Sequence, residues 1–123
     1  MVDEQESLIV KIRPFQFSGT ACLSYTEGKL INVEFLVSKK GSVVYGYFQT
    51  VAKLLSASLR RNVSISVIIE KLKEVHIFEP SGHSDLGRFE SFAEYIAAFL
   101  EKYGKYPEKS KIESKQIQGK KEK

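Results

Sequence analysis

The stretch Lys39–Arg61, KKGSVVYGYFQTVAKLLSASLRR, constrains the fold more than any other part of the chain. Val44, Phe48, Val51, Leu55 and Leu59 recur three to four residues apart, with Ala52 beside them. That period is one face of an amphipathic helix, held for roughly four turns. No other segment has so long an apolar stripe, so the helix predicted over 42–61 is the surface against which shorter elements can bury their own apolar faces. Ser42 is placed to accept a bond from a first-turn N–H, and Asn62 tolerates the left-handed conformation that ends helices.

The N-terminal third alternates with the period of half-buried strands. Leu8, Val10 and Ile12 define a first strand over 7–13, which Pro14 ends. Phe15, Phe17, Ala21, Leu23 and Tyr25 keep the odd positions apolar through a second strand, 15–25, with Gly19 marking a kink. Glu27-Gly28 signals a tight turn. Ile31, Val33, Phe35 and Val37 then form the inner face of a third strand, 29–38. After the long helix, Ser64 precedes a second helix, 64–74, with Ile65, Ile68, Ile69 and Leu72 on one face. A third helix, 88–103, carries Phe89, Phe92, Ala93, Ile96, Phe99, Leu100 and Tyr103, and Gly104 ends it. The expected fold is α+β: a small antiparallel sheet of about three strands covered on one side by helices, in a single domain over 1–106.

Charge divides the chain differently. The net charge is +4, but from Pro107 on there are six lysines against three glutamates, so the part before it is close to neutral. This lysine-rich tail, 107–123, is too poor in apolar residues to order itself and is expected to be disordered. It reads as a solvated terminus or as an electrostatic arm for nucleic acid or an acidic partner. The single cysteine, Cys22, excludes an internal disulfide. The start, MVDEQES, has no signal-peptide character, and Phe92–Leu100 contains Glu94 and is too short to cross a bilayer. The expected location is cytoplasmic.

From Gly28 on, the order of motifs resembles the C-terminal domain of adenosylcobalamin-dependent, class II ribonucleotide reductases. A strand leads to Lys39, then Gly41-Ser42 and a long helix with Ser56 and Leu59 near its end. A short helix follows, then Phe78-Glu79-Pro80-Ser81-Gly82, and a closing helix with Ser91, Tyr95 and Ile96. The pattern is also similar to small cysteine-rich domains named for a Thr-Ser-Cys-Pro-Asp motif, although this chain has neither that motif nor those cysteines. It departs at His83, where the family has a large apolar residue, and at Asn62, where it has glycine. The reductase's thiyl cysteine, redox pair and cobalamin domain have no counterpart here. The resemblance therefore implies an accessory module, not the catalytic machine.

Two stretches carry candidate chemistry. Lys39, Lys40, Gly41 and Ser42 precede a helix N-terminus, where free amides, the positive dipole end and two lysines suit a phosphate. The spacing is not that of a P-loop, and plain capping beside a solvated lysine pair accounts for the same residues. Glu79, Ser81, Gly82 and His83 bring a carboxylate, a hydroxyl and an imidazole into one loop, which suits a ligand or acid–base work and equally a structural turn. His76, His83 and Cys22 lack the short spacing of a metal site, and no base stands beside Cys22 in sequence. Lys39, Lys40, Arg60, Arg61, Tyr45 and Tyr47 are the residues a nucleic-acid surface would use. No catalytic residue, metal or cofactor is assigned. The expected role is a non-catalytic subunit or nucleotide-binding regulator of deoxyribonucleotide synthesis, with a reductase catalytic chain and a nucleotide or phosphate as partners. A nucleic-acid-binding protein working through its tail and a self-associating homo-oligomeric scaffold are the alternatives.

Overall fold

In the computed structural model, which describes residues 5–75 and 82–106, the alternating N-terminal third forms an antiparallel sheet. Its strands are β1 (Gln5–Ile12), β2 (Gly19–Thr26) and β3 (Lys29–Val37), in that order across the sheet. Helices α1 (Val43–Arg60) and α2 (Ile65–Lys73) follow, then a hairpin of β4 (Gly82–Ser84) and β5 (Gly87–Phe89), and finally α3 (Phe92–Tyr103). The α+β class holds. No described helix is long and apolar enough to cross a membrane. The lysine-rich tail expected over 107–123 lies outside the described residues.

One face of the sheet is apolar. Ala21, Leu23, Tyr25, Val33, Phe35 and Val37 are buried there. α3 lies on that face: the Phe99 ring meets Phe35 edge-on at 5.2 Å, and the Tyr25 hydroxyl donates to the Tyr103 carbonyl at 2.6 Å. The opposite face carries Ile9, Cys22 and Glu34 in one row across the three strands. Glu27 and Gly28 both have positive φ, as a two-residue hairpin turn of type I′ requires. Just beyond this turn the register shifts, so that Ser24 faces Asn32 while Tyr25 faces Leu30. Ile31 is the residue left over. Leu30, not Ile31, takes the core position, which corrects the strict alternation expected of this strand.

Two boundaries also need correction. The second strand was expected from Phe15 but begins at Gly19. Residues 13–18 form a turn in which the Phe17 N–H donates to the Pro14 carbonyl and Phe15 adopts φ +62°. Phe15 and Phe17 keep the odd-residue apolar pattern although they are not in a strand, because both fold under the same core. Gly19 is needed for close approach: a Cβ there would lie 2.2 Å from the Leu36 carbonyl oxygen. The third helix was expected from 88 but begins at Phe92, with Ser91 as its N-cap. Phe89 fits the helical spacing yet packs on the Tyr95 ring, at 6.2 Å, from β5.

The caps read from sequence are present. The Ser42 hydroxyl accepts from the Tyr45 N–H, Ser64 caps α2, and Asn62 takes φ +66°. The apolar stripe of α1 is buried at Phe48, Ala52, Leu55 and Leu59. What sequence did not show is how α1 meets the sheet. The Ser56 hydroxyl accepts from the Val33 N–H at 2.9 Å and donates to the Val33 carbonyl at 3.1 Å. Both Val33 groups must therefore point away from β2, so α1 runs along the outer edge of β3. A helix hydroxyl stands where a neighbouring strand would pair.

Ser56→Ala should lower stability by about 1–3 kcal/mol, because it leaves two buried backbone groups unpaired. Thermal denaturation reads this as a lower midpoint, about 4–8 °C per kcal/mol for a domain of this size.

Candidate functional site

The candidate residues lie toward the end of the sheet where β1 and β3 finish and β2 begins, with Ile12, Gly19 and Val37 in one row. Both long apolar helices start there. The Phe92 ring, at the start of α3, lies 5.5 Å from Phe15, 6.0 Å from Phe17, 5.4 Å from Tyr47 and 4.9 Å from Phe48. Of these, Phe17, Tyr47 and Phe92 are half-buried, so the cluster shows aromatic surface between the helix starts.

Lys39, Lys40 and Gly41 form the turn that carries the chain from β3 into α1, with both lysines exposed and Gly41 at φ +92°. The Ser42 N–H donates to the Lys39 carbonyl, and its hydroxyl caps the helix. The first turn of α1 contains no acidic residue, so its positive dipole end adds to the lysine charge. The amides of Val43 and Val44 precede the first intrahelical bond, and Val43 is 88% exposed.

The second group sits on the β4–β5 hairpin. His83 is exposed and pairs across it with Arg88. The Ser84 hydroxyl donates to the Gly87 carbonyl and accepts from the Leu86 N–H, closing the turn. Asp85 then ties the hairpin to the body. Its Oδ1 accepts from the Arg13 N–H at 2.9 Å and from the Tyr95 hydroxyl at 2.7 Å, and its own N–H donates to the Arg13 carbonyl. Burial, with Asp85 as acceptor, holds the Tyr95 hydroxyl well above the usual phenol range. Glu79 and Ser81 lie outside the described residues. The hairpin is fastened at the end of β1 and the lysine turn follows β3. No hydrogen bond or ion pair joins the two groups among the described residues.

The other sequence candidates separate. Lys39 and Lys40 flank the start of α1, whereas Arg60 lies at its far end, held by Asn32 at 2.8 Å. Tyr47 packs against Phe92 and does not face solvent freely. His76 lies outside the described residues, and no group of three metal-ligating side chains assembles among those described. Cys22 is half-exposed on the open face of the sheet, and burial, then the Glu34 carboxylate, push its thiol pKa up. That is the wrong direction for a nucleophile.

Two grooves escaped the sequence reading. One of mixed character, about 300 Å³, runs between β3 and α1, its lining including Asn32, Glu34, Lys53 and Arg60 beside Val33 and Ala52. An apolar one of about 250 Å³ lies between α1 and α2, lined by Val51, Leu54, Leu55, Ile68 and Leu72. Neither has a motif, because each draws residues from two elements whose relative placement is tertiary.

Several of the described residues that carry the family resemblance hold joints. Ser42 and Ser91 cap helices, Ser56 fastens α1 to β3, Leu59 is in the core, and Tyr95 holds the hairpin through Asp85. A family model described as the TSCPD domain matches residues 5–104. No curated protein and no solved structure matches the chain.

Two measurements check these assignments. Cys22 should react with iodoacetamide more slowly at neutral pH than a free cysteine, and Glu34→Gln should speed it by removing one cause of the raised pKa. Asp85→Ala should destabilise the fold by about 1 kcal/mol or more, since the Tyr95 hydroxyl and Arg13 N–H lose one acceptor together.

Proposed function

The chain belongs to the TSCPD domain family, a domain found in class II ribonucleotide reductases, and on that premise we propose that it is a non-catalytic accessory module of deoxyribonucleotide synthesis. It acts in the cytoplasm as a separate subunit beside a reductase catalytic chain, or as its nucleotide-binding regulator. The observation that carries this reading is the family match, which spans nearly all of the folded part. Cys22 supports it from the chemical side, since a thiol whose pKa is raised is ill suited to thiolate chemistry.

The nucleotide would be held at the start of α1. Lys39 and Lys40 supply charge for its phosphates, and Gly41 and Ser42 present the turn and helix amides. Gly82 and His83 of the β4–β5 hairpin would supply the neighbouring wall; Glu79 and Ser81, expected beside them from sequence, lie outside the described residues. The half-buried rings of Tyr47 and Phe92 offer an aromatic surface on which a base can stack, worth about 1–3 kcal/mol.

The test is thermal stability during titration with dATP, ATP and inorganic phosphate. A nucleotide at a hundredfold excess over its Kd should stabilise the protein by about 2.7 kcal/mol. Lys39→Ala with Lys40→Ala should abolish the shift, while Lys29→Ala should not. No shift at millimolar nucleotide removes the nucleotide site. Adding the purified chain to a cobalamin-dependent reductase from the same cell tests the accessory role separately, because turnover or effector response should change.

A further inference from the structure

The sheet has two edges, and they are treated differently. Along β3, α1 covers the edge through Ser56. Along β1 the cover is partial. Because Val33 points its backbone groups away from β2, the alternation of an antiparallel ladder carries through Leu23 to its partner Leu8. Leu8 bonds inward to β2, and Ser7, Ile9, Lys11 and Arg13 present N–H and C=O groups outward. Arg13 confirms the parity, since both of its groups are taken by Asp85 of the hairpin. Ser7, Ile9 and Lys11 have no such partner among the described residues. Their side chains are exposed, Ile9 at 70%. This is a row of unpaired strand groups of the kind that templates another strand, with no proline or bulge in β1 to blunt it.

We infer that the occupant is a second copy of the same strand: two copies pair β1 against β1, antiparallel about a two-fold axis, and join two three-stranded sheets into one. Three features of β1 favour its own copy. First, its charge runs from acidic to basic. Glu6, preceded in sequence by Asp3 and Glu4, stands at the start, and Lys11 and Arg13 at the end. Antiparallel pairing keeps the two Glu6 side chains apart and the two Lys11 side chains at opposite ends of the ribbon, whereas parallel in-register pairing would set each beside its own copy. Second, the core thins beneath this edge. Leu8 and Val10 point to the apolar face yet are only half-buried, while Ile12 is buried. A second β1 brings the same residues to cover them. Third, the hairpin limits the register. Arg13 is occupied, so an incoming strand can pair only as far as Lys11. Setting Gln5 of one copy opposite Lys11 of the other puts Leu8 on the axis and matches every open outward group. The interface is isologous and closes on itself, which gives a dimer and not a fibre.

The test is the mass of the full chain by light scattering and sedimentation from micromolar to near-millimolar concentration. A dimer is expected at the upper end. Amide exchange at Ser7, Ile9 and Lys11 should slow as concentration rises, while Leu8 and Val10 stay protected throughout. Ile9→Lys should raise the dimer Kd about tenfold or more by placing two lysines near the axis. Ile9→Pro should do the same, because it deletes an outward N–H that the β1–β2 ladder does not use. Circular dichroism of both variants should match the parent at low concentration. Leu54→Lys, in the apolar groove between α1 and α2, should leave the dimer intact. A parent that stays monomeric throughout, a dimer that survives both Ile9 substitutions, or one that Leu54→Lys dissociates overturns the proposal. Should Ile9→Pro unfold the protein, the exchange pattern of the parent still decides.

Discussion

A three-stranded sheet in water has two edges whose backbone groups need partners, and much of this molecule is arranged around that requirement. The bond pair between Ser56 and Val33 is the clearest case. One hydroxyl gives and takes a hydrogen bond at a single residue of β3, as a paired strand would. It fixes where α1 lies: beside the sheet as well as against its apolar face. At the far edge the same need is met by Asp85, which offers its N–H and carboxylate to the two outward groups of Arg13. The hairpin that carries Asp85 is short, and none of its strand residues is fully buried. Its attachment depends on this contact and on the Phe89–Tyr95 packing.

With α1 along the β3 edge, α3 shares the apolar face of the sheet with it: Phe48 of α1 and Phe99 of α3 both meet the Phe35 ring edge-on. The shorter helix is the more thoroughly buried, with Tyr95, Ile96, Ala97 and Phe99 fully enclosed. α2 rests on α3 through a Lys73–Glu101 ion pair at 2.9 Å and a close approach of Ile65 to Gly104, and it buries no residue completely. The two helix starts converge on the Phe92 ring cluster. The lysine turn and the hairpin are placed near one end of the sheet by the same packing that builds the core. The binding site proposed for this end thus needs no separate scaffold.

The family resemblance gains a physical meaning from these contacts. Ser42, Ser56 and Ser91 each satisfy a backbone group or a capping position that the fold leaves open, and the Tyr95 hydroxyl donates to the Asp85 carboxylate that fastens the hairpin. Such residues identify a family through its joints, and say more about how the domain holds together than about what it binds. The departures fall in similar places. Asn62 adopts the left-handed cap that glycine would otherwise supply, while His83 projects from the exposed side of the hairpin.

Element existence was legible in the chain because it depends on local periodicity. The stripe from Val44 to Leu59, the alternation through Ala21 and Leu23, and the Glu27-Gly28 turn are all properties of near neighbours. The limits of that legibility are equally physical. Phe15, Phe17 and Phe89 keep the right spacing while belonging to a turn and a hairpin, because burial rewards an apolar side chain whatever backbone carries it. Leu30 displaced Ile31 through a bulge that depends on how β2 and β3 meet. Sequence alone therefore determined the three strands of the main sheet, the three helices, most of their caps and the family, but not the β4–β5 hairpin, whose second strand the helical spacing had claimed. Only the tertiary structure decided that α1 closes an edge, that Asp85 reaches Arg13 across 72 residues, and which backbone groups of β1 remain open. Those are outcomes of hydrogen-bond pairing between distant segments, which no local period encodes.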